Sequence, residues 1–375
     1  MTKVEPETPS IASKRIRSKL PALELLRFAA AMCVLLFHYQ HFVIYENWPG
    51  PWFDVAPGAF LLQPIYIFGH FAVQIFWALS GFVFFSAYYD RIRERTLTGG
   101  RFAQNRLARL YPLSIATLLI VAALQFVFFA QNGKFFIYQE NTADAFFLQL
   151  FMISSWGPGY HYSFNGPVWS VSVEILIYII FFLLIRSRLR LIVVHLIVWP
   201  VVIILLLLGG TLPFIWALGF FFAGGIAFSI SRLSTTRRRA LTLAGTSALA
   251  CVVVVVAVRP VVFRVFDDAT TYRTVLLLIA LIPALVLLSL WRPKSVLLNS
   301  GAQLLGNLTY SSYLLHFPVQ LAVVIGFGAA GFHVPWTDTR FFLIFFAVVL
   351  GLSYLCYRYF ERPLENRINS HTFHP

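Results

Sequence analysis

The sequence predicts an all-α protein, a polytopic integral membrane helical bundle of about ten transmembrane helices with both termini cytoplasmic. Three observations predict it. Of the 375 residues, 59% are hydrophobic and only 12% charged, with a mean hydropathy of +0.77; a soluble domain is about half apolar and about a quarter charged. Apolar stretches of about 20 residues, long enough to cross a bilayer core, recur along the whole chain. Most of the 29 Lys and Arg fall in the tails and in alternate loops, the segments that share the N-terminal side. The positive-inside bias places that side in the cytoplasm.

Residues 1–20 form a polar basic tail with Lys14, Arg15, Arg17 and Lys19. No small-residue cleavage site brackets a clean apolar core there, so the first span is expected to be retained. Spans one and two cover 22–44 and 65–87, separated by a loop rich in Pro, Gly and Trp at 47–63. A strongly basic stretch, DRIRERTLTGGRFAQNRLARLYP, leads into span three at 112–130. Residues 131–166 are the longest polar connection; within it, 143–153 is too short to span and is expected to be interfacial or re-entrant. Span four covers 168–185 and is followed by Arg186, Arg188 and Arg190. Spans five to ten fall at 191–208, 212–230, 240–258, 274–290, 309–329 and 340–358. The expected organisation is a tail at 1–20, one membrane domain at 21–360 and a cytoplasmic tail at 361–375.

The formal net charge of +14 suggests a polyanion partner, but its confinement to short clusters between apolar spans argues for topology and against nucleic acid. Cys33, Cys251 and Cys356 all lie inside apolar spans with no metal-type spacing, as small buried hydrophobes do, and no metal is expected.

The first span carries two polar side chains, Arg27 and His38, eleven residues apart. That is about three helical turns, so both leave one face, roughly 16 Å apart along the axis. Ionisable residues inside a span are costly and face a protein interior or a site. Arg27 lies near the cytoplasmic end, where an arginine can also snorkel to the interface beside Glu24 at i,i+3. His38 lies about 24 Å in, in the outer half of the bilayer, and imidazole is the side chain suited to take a proton near neutral pH. Span four carries Glu174, for which two roles are open: orienting His38, or pairing with an arginine. Ser80 and Gly81 in FWALSGF fit close helix packing. Arg106 and Arg109, three apart, share a helix face and suit a phosphate-bearing ligand on the cytoplasmic side, as well as ordinary interfacial anchoring. His316 in NLTYSSYLLHFPV is a second polar position, more simply read as packed.

In their order these pieces resemble the acyltransferase-3 family of integral membrane acyltransferases. Arg27-x10-His38 resembles its R-x10-H element, and Phe76, Ser80 and Gly81 its F-x-x-x-S-G element. Arg106, Arg109 and Pro112 match R-x-x-R-x-x-P. Trp169, Ser172 and Glu174 resemble W-S-L-S-V-E, the stretch GNLTYSSYLLHFPV resembles G-x-x-S-Y-x-x-Y-L-x-H-x-P, and Glu361 with Pro363 resembles E-x-P. The chain departs from the family's usual residues at Glu24, Leu25, Asn105, Ile175 and Thr309.

The resemblance implies a multi-pass protein of the cell inner membrane. It would move an acyl group, usually acetyl, from cytoplasmic acyl-CoA to a hydroxyl of a carbohydrate or lipid-linked glycan. Acetyl-CoA is then the donor, with no metal, and membrane lipid the surroundings. The residues this assigns are His38 as base, Arg27 near the donor's path and Glu174 orienting the imidazole, with Arg106, Arg109, Arg27 and Ser80 handling the donor. The rival class is a transporter of a lipid-linked sugar or anionic solute, with Arg27 and Glu174 as binding charges.

Overall fold

A computed structural model describes residues 20–157, 162–208, 212–233, 269–291 and 295–370, with 239, 241–246, 248, 249, 253 and 293 besides. About half of the expected span at 240–258 falls outside the described residues. Among the described residues there is helix and turn but no strand.

The chain runs through α1 (Pro21–His38), a short α2 (Gln40–Tyr45), α3 (Ala59–Phe68), α4 (Ala72–Arg93), α5 (Gly99–Asn132) and α6 (Ala143–Leu150). It continues through α7 (Val168–Arg186), α8 (Leu191–Leu207), α9 (Pro213–Leu233), α10 (Ala269–Ser289), α11 (Val296–Ala329), α12 (Thr339–Cys356) and α13 (Arg362–Ser370). Seven helical stretches are long and apolar enough to cross a membrane, and two shorter apolar helices, Leu191–Leu206 and Arg273–Ser289, stand where spans five and eight were expected. The protein is a polytopic membrane helical bundle. The segment expected to be interfacial or re-entrant holds only the two-turn α6.

Local chemistry explains the ends that matter. Pro21 opens α1, where its missing N–H is harmless. Thr98 caps α5 by accepting from Arg101 N at 3.3 Å, and Gly133 ends that helix at φ 68. Pro318 sits inside α11 and has no N–H to give the Leu314 carbonyl; Asn165 Nδ2 donates to that carbonyl instead, at 3.2 Å. After α12 the chain makes a π turn over Tyr357–Glu361. Pro363 follows and lacks the N–H that the Tyr359 carbonyl would take, which favours the wider turn.

Two aromatic cores hold the bundle. One joins α4, α7 and α9 through Phe84, Phe85, Phe181, Phe221 and Phe222. The other joins α1, α2, α5, α11 and α12 through Tyr39, Phe42, Phe128, Phe317 and Phe345. Helices α4 and α9 touch backbone to backbone. A Cβ on Gly81 would overlap the Phe221 carbonyl oxygen, and one on Gly224 would overlap that of Ala78. This fixes α4 so that Ser80, next to Gly81, faces the bundle interior.

Candidate functional site

A cavity of about 310 Å³ lies inside the bundle at the end that holds the start of α1, the end of α4, the start of α5 and α13. Three arginines expected to handle the donor line it together: Arg27 from α1, and Arg106 and Arg109 from α5. The helical spacing of the last two aims both at one space, and the packing of α11 against α1 and α5 closes it.

Each arginine is held differently. Arg27 pairs with Glu24 at 3.1 Å, the i,i+3 contact foreseen from the sequence, but it faces the cavity rather than the interface. Glu24 is in turn pressed against Gly306 of α11, where a Cβ would overlap its carboxylate. The Arg106 guanidinium lies over the rings of Phe84 (5.1 Å) and Tyr88 (5.2 Å) and donates to Tyr88 Oη at 2.7 Å. Its Nε is buried with no hydrogen-bond partner among the described residues. Arg109 sits in the field of Glu365, Glu361 and Glu24. Glu365 reaches the cavity from α13, which is tied to α5 by Arg101 donating to the Asn369 carbonyl at 3.1 Å and Gln104 donating to that of Ile368 at 2.6 Å.

Glu174 also lines the cavity. It accepts a hydrogen bond from Ser80 Oγ, with the Tyr178 hydroxyl beside both. Neither of the two roles left open by the sequence is the one observed: no hydrogen bond joins Glu174 to His38 or to an arginine among the described residues. The cause is depth. Glu174 stands about one and a half turns inside α7 and meets α4 at Ser80, while His38 is the last residue of α1.

His38 does not line the cavity. It stands in a second polar layer behind Tyr313, a cavity-wall residue whose ring centroid is 6.1 Å from that of His316. His38 Nδ1 is 2.7 Å from His316 Nε2, with the ring centroids 4.9 Å apart and the planes 22° from parallel. His316 is fully buried, as a packed histidine would be, but it is also the side chain bonded to His38. On the other side of His38 the ring of His41 stacks at 4.9 Å. The helix breaks at Tyr39, and the freed His38 carbonyl accepts from Gln320 Nε2 at 2.8 Å. Both Arg27 and His38 lie in the single helix α1, so the roughly 16 Å separation follows.

An aromatic wall borders the histidines. Tyr138 stacks on Tyr162 at 5.6 Å and meets His41 edge-on at 6.0 Å. Burial pushes the Tyr138 hydroxyl above its ordinary range, so the phenol stays protonated. Among the described residues there is no cluster of three side chains suited to a metal ion. Sequence reasoning missed His41, Gln320 and Glu365. His41 carried a signal, a second histidine one turn beyond His38 in the same stretch; the other two gave none.

A family model for an acyltransferase domain, that of the acyltransferase-3 proteins, matches residues 20–358. The chain belongs to the acyltransferase-3 family. The matched model is that of an acyltransferase domain. The matched region contains Arg27, His38, Ser80, Arg106, Arg109, Glu174 and His316 and stops short of Glu361 and α13. The chain is similar to the acyltransferase MdmB of Streptomyces mycarofaciens, 31% identical over 165 residues, 44% of this chain and 38% of that protein. It is also similar to protein 2 in the picA locus of Rhizobium radiobacter, 48% identical over 54 residues, 14% of this chain and 28% of that protein. The chain thus spans well under half the length of either relative. No solved structure matches this chain.

Proposed function

We propose that this acyltransferase transfers an acyl group, acetyl in the simplest case, from cytoplasmic acyl-CoA to a hydroxyl of a carbohydrate or lipid-linked glycan at the cell inner membrane. The observation that carries the reading is the convergence of Arg27, Arg106 and Arg109 on one cavity whose wall residue Tyr313 backs onto the His316–His38 pair. Guanidiniums suit the phosphates of a CoA donor, as forked donors to anionic oxygens. Arg27, on the helix that ends in His38, suits the thioester end.

His38 Nδ1 and His316 Nε2 share one hydrogen bond, and in the tautomer where His38 Nδ1 donates, His316 Nε2 accepts. His38 Nε2 then carries the bare lone pair and takes the proton of the acceptor hydroxyl. The hydroxyl oxygen bonds to the acyl carbon, the carbon–sulfur bond breaks, and the CoA thiolate leaves with the bonding pair and receives a proton. His316 is a positioning residue in this scheme, the part the sequence assigned to Glu174. Glu174 positions Ser80 instead.

The test is His38→Ala, assayed by mass spectrometry of surface glycans and by CoA release in membranes supplied with acetyl-CoA. Loss of the acyl mass increment at normal protein level is the expected outcome. Wild-type acylation by the variant would sink the histidine-base assignment, and no acyl transfer by the unmodified protein would sink the reaction.

A further inference from the structure

The second layer contains a histidine that the scheme above leaves without work. His41 is 96% buried, its ring stacks on that of His38, and its hydrogen bond has only one possible direction. Gln320 fixes it. Its amide nitrogen donates to the His38 carbonyl at 2.8 Å, so its amide oxygen is the atom 3.0 Å from His41 Nδ1. An amide oxygen only accepts, so His41 carries its proton on Nδ1. In the neutral ring Nε2 is then a bare acceptor. No described residue bonds to His41 Nε2, and the atom is not sealed off, whereas His316 Nδ1 is. The same holds for His38 Nε2. The two imidazoles, with ring centroids 4.9 Å apart and planes 18° from parallel, therefore each carry one unsatisfied lone pair.

We infer that His41 is a substrate-binding residue: it accepts a hydrogen bond from a hydroxyl adjacent to the one that His38 deprotonates, so that the acceptor is a polyol with neighbouring hydroxyls rather than an isolated alcohol. This rests on the acyl-transfer reading. A lone base needs one bare nitrogen. A second one beside it, held in its tautomer by a glutamine that also holds the His38 backbone, matches the paired hydroxyls of a sugar ring. Tyr162, 45% exposed and stacked on Tyr138 beside His41, gives the outer edge of this wall an aromatic ring on which a sugar can stack.

The test uses the whole protein in detergent, 15N-labelled at histidine, with resonances assigned through His38→Asn and His41→Asn. Methyl glucoside is the probe polyol and cyclohexanol the single-hydroxyl control. The expected result is a proton on His41 Nδ1, and movement of the Nε2 resonances of His38 and His41 with the glucoside but not with cyclohexanol. A proton on His41 Nε2 overturns the proposal; so does a His41 signal that the glucoside leaves unmoved, or that both probes move alike. A second arm measures acylation in membranes holding the native acceptor. His41→Asn keeps the Gln320 contact and removes the acceptor atom; it should raise the acceptor KM about tenfold, the factor of one ordinary hydrogen bond, without changing the acetyl-CoA KM. His41→Gln places an amide oxygen near the Nε2 position and should recover most of that loss. Equal defects in both variants mean a packing role and overturn the proposal. Failure of the underlying reaction is a separate result: the unmodified protein would transfer no acetyl group, while the tautomer and the glucoside response of His41 would still be read.

Discussion

Arg106 keeps its charge in place with aromatic rings, not with a carboxylate. The rings of Phe84 and Tyr88 lie 5.1 and 5.2 Å from its guanidinium carbon, and its bond to Tyr88 leaves the positive charge uncancelled. That suits a residue meant to meet an incoming anion. Arg106→Lys retains the charge but loses the planar fork and the stacking, so the acyl-CoA KM should rise about tenfold with kcat little changed in steady-state assays. Ser80→Ala leaves a Glu174 oxygen without its donor; the variant should unfold at lower temperature in detergent, with a loss of about 1–3 kcal/mol. Arg27 and His38 were legible in the sequence because polar side chains stand out in an apolar span. The His38–His316 bond was not, because its partners are 278 residues apart and meet only when α11 packs on α1. Glu174 shows the same limit from the other side: its need for a partner was visible, but choosing Ser80 over His38 takes the relative depth of two helices.

Between helices, small residues decide how close the site's walls come. The contact between Gly81 and the Phe221 carbonyl brings α4 against α9 and turns Ser80 toward the cavity. Gly81→Ala should force the two backbones apart, lowering stability by about 1–3 kcal/mol and reducing the folded fraction seen by size-exclusion chromatography. Gly100→Ala, where a Cβ meets nothing within 4 Å, is the control and should behave as wild type. The small-residue packing of FWALSGF could be read from the sequence; its partner helix could not. The apolar segments were legible because hydropathy is a property of the segment alone, but α5 and α11 begin at Gly99 and Val296, well before the expected spans at 112–130 and 309–329. The π turn at Tyr357–Glu361 was not: it brings Glu361 back to accept from Ser311 Oγ, and only the fold makes that contact.

Across the whole molecule the two polar layers lie at different depths, arginines at the basic end and histidines beyond Tyr313. The proposed topology makes the first layer cytoplasmic. Thr337→Cys, in the exposed turn before α12, should react with an impermeant maleimide in intact cells, and Gly100→Cys only after permeabilisation. The opposite pattern would invert the donor side. The contact of Phe76 with Tyr313, centroids 6.1 Å apart, then has an electrical meaning. If the acceptor reaches His38 from the side opposite the donor, the proposed reaction needs two water-filled approaches that never join, because a continuous file of water would short-circuit a proton gradient across the membrane. Both rings line the inner cavity, and Tyr313 stands directly before His316, where such insulation has to be thinnest.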